Sequence, residues 1–268
     1  MAVNGKGAGL TALVLAGPRA NGDPLARAYD LPHKAVLPVA GRPMGEWVVD
    51  ALRETPGIGR ILVAADWRCL GDTMMVGKRV VPVAARATIG ETVEAVLDVV
   101  PPPLLITTVD HPLLTPTMIA EFLSKVPPDA DGAMAVARDE AIRGTYPEAR
   151  RAYVRFRRAR VTGCNLFLML GSRARRAAGT WTRMDASRRD PAAMMASLGT
   201  GSLLLWSLGL LTLEGAARRL SARVGARLAV VEMSAPEAAI DVDGPEDLHL
   251  AEAILARRAA GGGRDPVV

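Results

Sequence analysis

The stretch LVLAGPRANGDPLARAYDLPHKAVLPVAGRPM, residues 13–44, joins a short apolar run to a long polar loop. The apolar run starts at Leu10 and stops before Gly17, and its unbroken hydrophobicity is typical of a strand buried on both faces. A glycine directly after such a strand lets backbone amides approach an anion closely. The loop therefore predicts a phosphate site, and its cations Arg19 and Lys34 suit the charge of a triphosphate. The alternative is that both cations are solvated on the surface.

The chain downstream alternates apolar strands with amphipathic helices. The predicted strands are RILVAAD, PLLITT, GAMAVAR and RLAVVEM, and the predicted helices are MGEWVVDALRE, GETVEAVLDVV and TPTMIAEFLSKV. This alternation predicts an α/β fold, a three-layer sandwich with a mostly parallel, mixed central sheet and a Rossmann-like nucleotide-binding half. Ligands of such sheets bind beyond the carboxyl ends of the strands, which is where Gly17, Asp66 and Asp110 lie.

The alternation of strands and helices predicts one domain over residues 1–260, with a helical insertion at about 138–225 and a disordered tail at 261–268. The two cysteines lie far apart in the sequence, in no metal-ligand spacing, which argues against a disulfide framework and a zinc site. The N-terminus lacks the charged start and long apolar run of a signal peptide. A cytoplasmic protein is therefore expected.

The basic charge balance limits the classes of partner. The net charge is +5 and the isoelectric point about 9.7, which fits nucleotides, nucleic acid or an anionic membrane surface. Aromatic residues make up only 4% of the chain, which leaves few side chains to stack on bases. No recognisable nucleic-acid-binding module is present either, so a nucleic-acid partner is not expected.

Three carboxylates are candidate ligands of a magnesium ion. Asp110 ends the apolar strand of TTVDHPLL, and Asp241 and Asp243 alternate in AIDVDGPEDL. In an extended backbone the alternating pair points to one face. Mg²⁺ typically takes one or two carboxylates together with substrate phosphates. The alternatives are a cap or turn role for Asp110 and a cap of the final helix for Asp243.

An arginine-rich stretch follows the first half of the sheet. RGTYPEARRAYVRFRRAR, residues 143–160, predicts strands joined by a basic turn, in which Arg155 and Arg157 share a face. These two guanidinium groups are placed to bind a phosphate, although a solvated basic hairpin is the alternative. Asn165, at the mouth of the next apolar strand, is a candidate site residue or a turn-stabilising asparagine.

The segment PAAMMASLGTGSLLLWSLGLLTL, residues 191–213, contains no charged residue and has the length of a membrane span. A span would put the two halves of one sheet on opposite sides of a membrane, which disfavours it. The remaining interpretations are a buried helical pair and an interfacial helix that contacts a membrane peripherally or serves an amphiphilic ligand.

The order of the motifs resembles one known family. LAG, an arginine, Lys-x-x-L-P-V-x-G-R-P-M, VDHPLL and DVDGPEDLHLAE follow one another as in nucleotidyltransferases of the glycosyltransferase-A-like fold, such as the molybdenum-cofactor guanylyltransferase. The likeness covers the first 45 residues and residues 85–126 and 227–257. It implies a nucleotidyltransferase in which a phosphorylated acceptor attacks the α-phosphorus of a nucleoside triphosphate and expels pyrophosphate.

The resemblance also implies roles for individual residues. It gives catalytic roles to Arg19, Lys34 and Asp110, and Mg²⁺ binding to Asp110 with Asp241 and Asp243. It places the nucleotide at Leu15, Ala16, Gly17, Pro18, Thr88 and Gly90. In this fold the middle segment builds the acceptor side, which points to Asn165, Arg155 and Arg157.

The sequence departs from the family pattern in the first loop. Pro18 stands where the family has a second glycine, Arg19 comes earlier than usual, and Arg27 is a rival for the catalytic arginine. CTP or GTP is expected rather than ATP, and residues 191–213 suggest an amphiphilic or lipid-related acceptor. The alternatives are a sugar-phosphate nucleotidyltransferase and a non-catalytic nucleotide-binding or regulatory protein of the same fold.

Overall fold

A computed structural model describes residues 9–17, 22–70, 79–178 and 190–261 of the 268-residue chain. The predictions for Pro18, Arg19 and the tail after Gly261 lie outside the described residues. Every other residue given a role above falls within them.

An eight-stranded mixed sheet lies at the centre of the described part of the chain. The strands are β1 (Leu10–Ala16), β2 (Pro38–Val39), β3 (Arg42–Pro43), β4 (Ile58–Ala65), β5 (Val80–Ala84), β6 (Leu104–Thr108), β7 (Gly132–Arg138), β8 (Val154–Arg155), β9 (Arg160–Met169) and β10 (Leu228–Glu232). The sheet order is β10-β7-β9-β6-β1-β4-β5, with β8 paired to β9. Strand β9 runs antiparallel to β6, β7 and β8, and the other neighbours in the sheet are parallel. Strands β2 and β3 form a separate antiparallel pair.

Helices pack on both faces of this sheet. The principal helices are α1 (Pro24–Ala28), α2 (Met44–Glu54), α3 (Trp67–Leu70), α4 (Ile89–Val99), α5 (Pro116–Lys125), α6 (Asp139–Thr145), α7 (Pro191–Ser197), α8 (Thr200–Ser207), α9 (Leu213–Val224) and α10 (Pro245–Ala260). Thr115 caps α5 by accepting from the Met118 amide at 3.2 Å, and α10 begins at Pro245.

The alternation of β1 shows how the layers are assembled. Ala12 and Val14 pack on the face covered by α2, α5 and α10, whereas Leu13 and Leu15 pack on the face covered by α4. Farther along that second face, α7 and α9 cover β7 and β9. A strand covered on both faces has to be apolar throughout, which explains the unbroken run at residues 10–16. The predicted three-layer α/β fold is confirmed.

Two local features differ from the sequence interpretation. The edge strand β5 was not predicted, since Pro82 lies within it; an edge strand pairs on only one side and tolerates a residue that lacks an amide donor. The apolar sequence AVLPVAG after Lys34 predicts a strand-like run, but the structure has a 3₁₀ turn over Lys34–Val36. His33 caps this turn, because its Nδ1 accepts from the Ala35 amide at 3.0 Å.

The uncharged segment 191–213 forms two short helices, α7 and α8, and not one long helix. Gly199 separates them with a φ of +106°, a backbone conformation that strongly favours glycine. None of the described helices is long and apolar enough to cross a membrane. Met195 in α7 is buried, while Leu204 and Leu208 at α8 are about 60% exposed. Of the two interpretations, burial therefore fits α7 better than α8.

Truncation of a central strand residue is expected to destabilise the fold strongly. Leu13 is fully buried in β1, so Leu13→Ala should lower the free energy of unfolding by about 3 kcal/mol through lost burial and a residual cavity. Val99→Ala is the matched control, because Val99 is 77% exposed and its truncation should cost less than about 0.5 kcal/mol. Urea denaturation measures both; equal costs would contradict the layer assignment.

Candidate active site

The carboxyl ends of β1 and β6 form the edge on which the candidate site is built. The Val109 amide donates to the Leu15 carbonyl at 3.0 Å, which extends the contact between the two strands beyond Thr108. Gly17 follows β1 directly, and Asp110 follows β6. The start of the polar loop and the strand-end carboxylate are therefore neighbours, as the topology of a parallel pair requires.

Lys34 reaches this edge from the 3₁₀ turn and is only 5% exposed. Its Nζ lies 2.5 Å from Asp110 Oδ2 and 3.0 Å from Asp243 Oδ1, and it is 3.7 Å from Asp23 Oδ2. Asp23 also caps α1, since its Oδ1 accepts from the Leu25 amide at 2.9 Å. One buried ammonium thus joins three carboxylates from separate parts of the chain.

His33 holds the base of the Lys34 turn against the first loop. Because His33 Nδ1 accepts from the Ala35 amide, a neutral ring carries its proton on Nε2, which lies 3.5 Å from the Gly17 carbonyl oxygen. Burial lowers the pKa of His33, which favours this neutral form. The ring thus lies between the end of β1 and the turn that carries Lys34.

Asp110 is kept ionised despite its burial. Burial by itself raises the pKa of Asp110, but the charge of Lys34 and hydrogen bonds from Lys34 and the Thr108 hydroxyl outweigh it, so the pKa falls below its ordinary value. The Asp110 carbonyl accepts from the Val242 amide at 2.8 Å. This main-chain bond draws the segment that carries Asp241 and Asp243 to the end of β6.

Asp241 lies on the other side of the cluster, where polar groups from β9 and the preceding loop hold it. Asn165 Nδ2 donates to Asp241 Oδ2 at 3.0 Å, and the buried Arg151 guanidinium donates to both Asp241 and Asp247. Burial, together with the charge of Asp110, raises the pKa of Asp241 to about 6. The carboxylates on this edge therefore repel one another unless further positive charge is present.

Asp110, Asp241 and Asp243 form a donor set that fits a hard divalent cation. One carboxylate oxygen from each residue lies within 4.8 Å of the other two. An all-oxygen set of carboxylates suits Mg²⁺, which keeps further positions for water and phosphate oxygens. The predicted ligand residues are thus brought together by the fold, with Lys34 beside them.

The predicted nucleotide-contact residues lie at the same edge in two groups. Leu15 and Ala16 are buried at the end of β1, and Gly17 is exposed beyond them. A Cβ added at Gly17 would lie 3.4 Å from Ala85 Cβ, so the segment before α4 adjoins the loop. Thr88 caps α4 by accepting from the Glu91 amide at 3.2 Å, which occupies its hydroxyl, and Gly90 lies in the first turn of that helix.

A cavity of about 460 Å³ lies beside the carboxylate cluster, and the predicted acceptor residues differ in their relation to it. Asn165 lines it, and so do Arg150 and Arg151, but Arg155 and Arg157 do not. Strand β8 ends at Arg155, so the expected shared face of a longer strand does not form. The Arg157 amide instead donates to the Leu211 carbonyl at 2.8 Å, on an exposed hairpin. The geometry therefore does not favour Arg155 and Arg157 as acceptor ligands.

Several functional neighbours were missed in the sequence interpretation. Asp23, His33 and Thr108 contact Lys34, its turn or Asp110, and Arg151 joins Asp241 to Asp247. Arg151 belongs to the arginine-rich stretch, but neighbouring arginines gave the same sequence signal. Arg27, the rival catalytic arginine, is exposed on α1, with its side chain beside Gly22.

Comparisons with known proteins concern the family and the fold of the chain. The family model described as "MobA-like NTP transferase domain" matches residues 12–226. A hypothetical transferase from Thermus thermophilus is 30% identical, with a TM-score of 0.75, over 89% of this chain and 99% of that one. A search of curated proteins found no match.

Two more distant solved structures share the fold. The CMP:2-keto-3-deoxy-manno-octonic acid synthetase in complex with CTP is 15% identical, with a TM-score of 0.56, over 93% of this chain and 99% of that one. The 4-diphosphocytidyl-2C-methyl-D-erythritol synthase from Anaerococcus prevotii is 11% identical, with a TM-score of 0.54, over 93% and 97%. At these identities the likeness concerns the fold alone.

Removal of the Lys34 charge is expected to destabilise the protein at neutral pH. Lys34→Met leaves the buried carboxylates without their shared partner, which should lower the free energy of unfolding by about 3 kcal/mol. Lys125→Met is the control, because Lys125 pairs with Glu121 at an exposed position and should contribute less than about 1 kcal/mol. Urea denaturation at pH 7 compares the two, and similar small losses would contradict the buried cluster.

The raised pKa of Asp241 predicts a pH-dependent difference between the wild type and Asp241→Asn. A carboxyl whose pKa rises from 3.8 to about 6 on folding binds its proton more tightly in the folded state. Its contribution to stability is complete below about pH 4 and is lost as the pH rises through 6. Between pH 4 and pH 7, the free energy of unfolding of the wild type should fall by at most about 3 kcal/mol relative to that of Asp241→Asn. Urea denaturation measures both. A difference that is constant with pH would refute this.

Proposed function

Because the chain belongs to the MobA-like NTP transferase family, we propose that it transfers a nucleoside monophosphate from a nucleoside triphosphate to a phosphorylated acceptor, with Mg²⁺ held by Asp110, Asp241 and Asp243. The observation that carries the proposal is the carboxylate cluster with Lys34 at the carboxyl edge of β1 and β6. The family supports nucleotidyl transfer in general. The metal, the base and the acceptor are the parts proposed here.

The nucleotide would lie over the end of β1. Leu15, Ala16 and Gly17 offer main-chain groups beside the loop that contains Pro18 and Arg19, and the exposed Gly17 leaves room for close approach. The segment with Thr88 and Gly90 adjoins this position and would face the base. A solved structure of similar fold contains CTP, which supports the expectation of CTP or GTP over ATP.

The charged groups of the chain have separate tasks. Thr108 and Lys34 keep Asp110 ionised, and Arg151 and Asn165 orient Asp241 toward the same point. A bound Mg²⁺ would neutralise charge on the phosphates and polarise the α-phosphoryl group. Lys34 is buried and bound to carboxylates, so it would bind a phosphate oxygen by exchanging one of these contacts for it.

The reaction would need no protein nucleophile. An oxygen of the acceptor phosphate attacks the α-phosphorus, a new phosphorus–oxygen bond forms, and the bond to the β-phosphate oxygen breaks so that pyrophosphate leaves. Catalysis then consists of positioning and charge neutralisation. Asn165, Arg150 and Arg151 lie on the cavity side of the cluster, which is where the acceptor phosphate would bind.

A peripheral membrane contact is a second element of the proposal. Leu204, Leu208 and Leu210 are 50–61% exposed at α8 and the loop after it, which is unusual for large apolar side chains on one short segment. Such a surface would bring an amphiphilic acceptor, or the membrane that holds it, near the insertion.

A nucleotide screen tests the proposed function. CTP, GTP, UTP and ATP are tested with Mg²⁺ by thermal shift, and pyrophosphate release is then followed with sugar phosphates and alkyl phosphates as acceptors. One or two nucleotides should stabilise the protein and support release. Asp110→Asn and Lys34→Met should each reduce release at least about 100-fold, because each removes charge stabilisation at the reacting phosphate.

Asp98→Asn is the matched control for these variants, since Asp98 is exposed on α4, where it pairs with Arg175. It should retain full activity. Stabilisation by a nucleotide without any pyrophosphate release would support the non-catalytic nucleotide-binding alternative. Release that survives Asp110→Asn would refute the proposed site. Release confined to sugar phosphates would favour the sugar-phosphate nucleotidyltransferase.

A further inference from the structure

The cavity beside the carboxylate cluster runs between the sheet and the helices of the insertion. Strands β7, β9 and β10 form one wall, and α7 and α9 form the other. Its lining extends along β9 from Val161 to Met169, and the part from Asn165, beside the cluster, to Met169 is about 13 Å long at about 3.3 Å per residue. The volume of about 460 Å³ lies within the range of small-molecule sites.

The lining changes character along this length. At the end near the cluster, Arg150, Arg151 and Asn165 contribute polar groups beside the aspartates. Toward the other end the wall is apolar, with Met169 and Leu228 on the sheet and Leu220 on α9. A ligand that filled this space would need a charged head and an apolar body.

Two arginines supply positive charge at the polar end. The Arg151 guanidinium is held there by Asp241 and Asp247, to which it donates through Nη1 and Nη2. The neighbouring Arg150 is exposed, and its only described ion pair is a 3.4 Å contact with Glu246. A phosphate at the mouth of the cavity would therefore meet the charge of Arg150 first, with Arg151 behind it.

The apolar end is not explained by packing. Met169 and Leu228 on the sheet and Leu220 on α9 line this end, and yet the space between them is not filled by any of the described residues. Protein interiors are normally filled to the density of organic crystals, with few voids larger than a water molecule. Large open spaces lined mainly by apolar side chains are typical of ligand sites.

We infer that this cavity binds the hydrocarbon part of a phosphorylated amphiphile, a single alkyl or isoprenoid-like chain whose phosphate lies at Arg150 and Arg151 beside the carboxylate cluster. The role of this molecule as acceptor rests on the proposed function. Its binding is a separate property of the cavity. The occupant is one soluble amphiphile and not a membrane surface, because the apolar wall lies between the sheet and the helices.

A chain-length series tests the inference without any catalytic step. Butyl, hexyl, octyl and decyl phosphate are titrated below their micelle concentrations into the full-length protein with Mg²⁺, by isothermal titration calorimetry, with inorganic phosphate as the reference. The dissociation constant should fall about three- to fourfold for each added CH₂ until the cavity is filled. Binding that is independent of chain length overturns the inference.

Two variants with a matched control locate the binding. Ala217 lines the cavity on α9, so Ala217→Phe should remove most of the dependence on chain length; Ala222→Phe, exposed on the same helix, should not. Leu208→Ser alters the exposed apolar surface and should also leave the dependence intact. Loss of the dependence in Leu208→Ser, with retention in Ala217→Phe, would place the chains on the surface and overturn the inference.

The outcomes separate this inference from the proposed function. Pyrophosphate release with soluble sugar phosphates, without any effect of alkyl chain length on binding, would leave the proposed function standing and refute the cavity assignment. Chain-length-dependent binding without release from any nucleoside triphosphate would leave the cavity as a binding site and refute the transfer reaction.

Discussion

The ion pair of Lys34 with Asp110 and Asp243 is the contact on which the rest of the site depends. It joins the turn after the first loop to the end of β6 and to the segment before α10, across 76 and 209 residues of sequence. Buried like charges are costly, and a single ammonium at 2.5 and 3.0 Å from two of them makes their approach tolerable. The carboxylates can therefore be held ready for a cation before any ligand arrives.

Around Asp241, as around Asp110, one cation pairs with more than one carboxylate. Arg151 binds Asp241 and also Asp247 in the first turn of α10, so that one guanidinium orients a candidate metal ligand and fixes the last helix. Asp241 nevertheless keeps a raised pKa, because it is buried near Asp110. The excess negative charge that remains is what makes the cluster receptive to a divalent cation and, through it, to phosphates.

Under the proposed function, the insertion would give a general transferase fold its acceptor side. The sheet and the helices α2, α4 and α5 build the edge at which the nucleotide would bind. Helices α7 and α9 add a wall that leaves an elongated apolar space beside the same carboxylates. The cluster thus lies between a polar loop and an apolar cavity, and each of these would select a different part of the reaction's two substrates.

The sequence by itself determined the fold class and most of the cluster. Strand and helix periodicities are local, so β1, α2 and β7 followed from the residues they contain, and Asp110 was placed at the ligand edge because strand ends meet there. Asp241 and Asp243 were joined to Asp110 through the resemblance of the motifs to a known family. Only the tertiary structure determined which cations pair with these carboxylates. The seven arginines of residues 143–160 cannot be told apart by their local sequence. Only packing buries Arg151, while Arg155 and Arg157 stay on an exposed hairpin. The cavity, too, is a gap between distant elements, which no local pattern records.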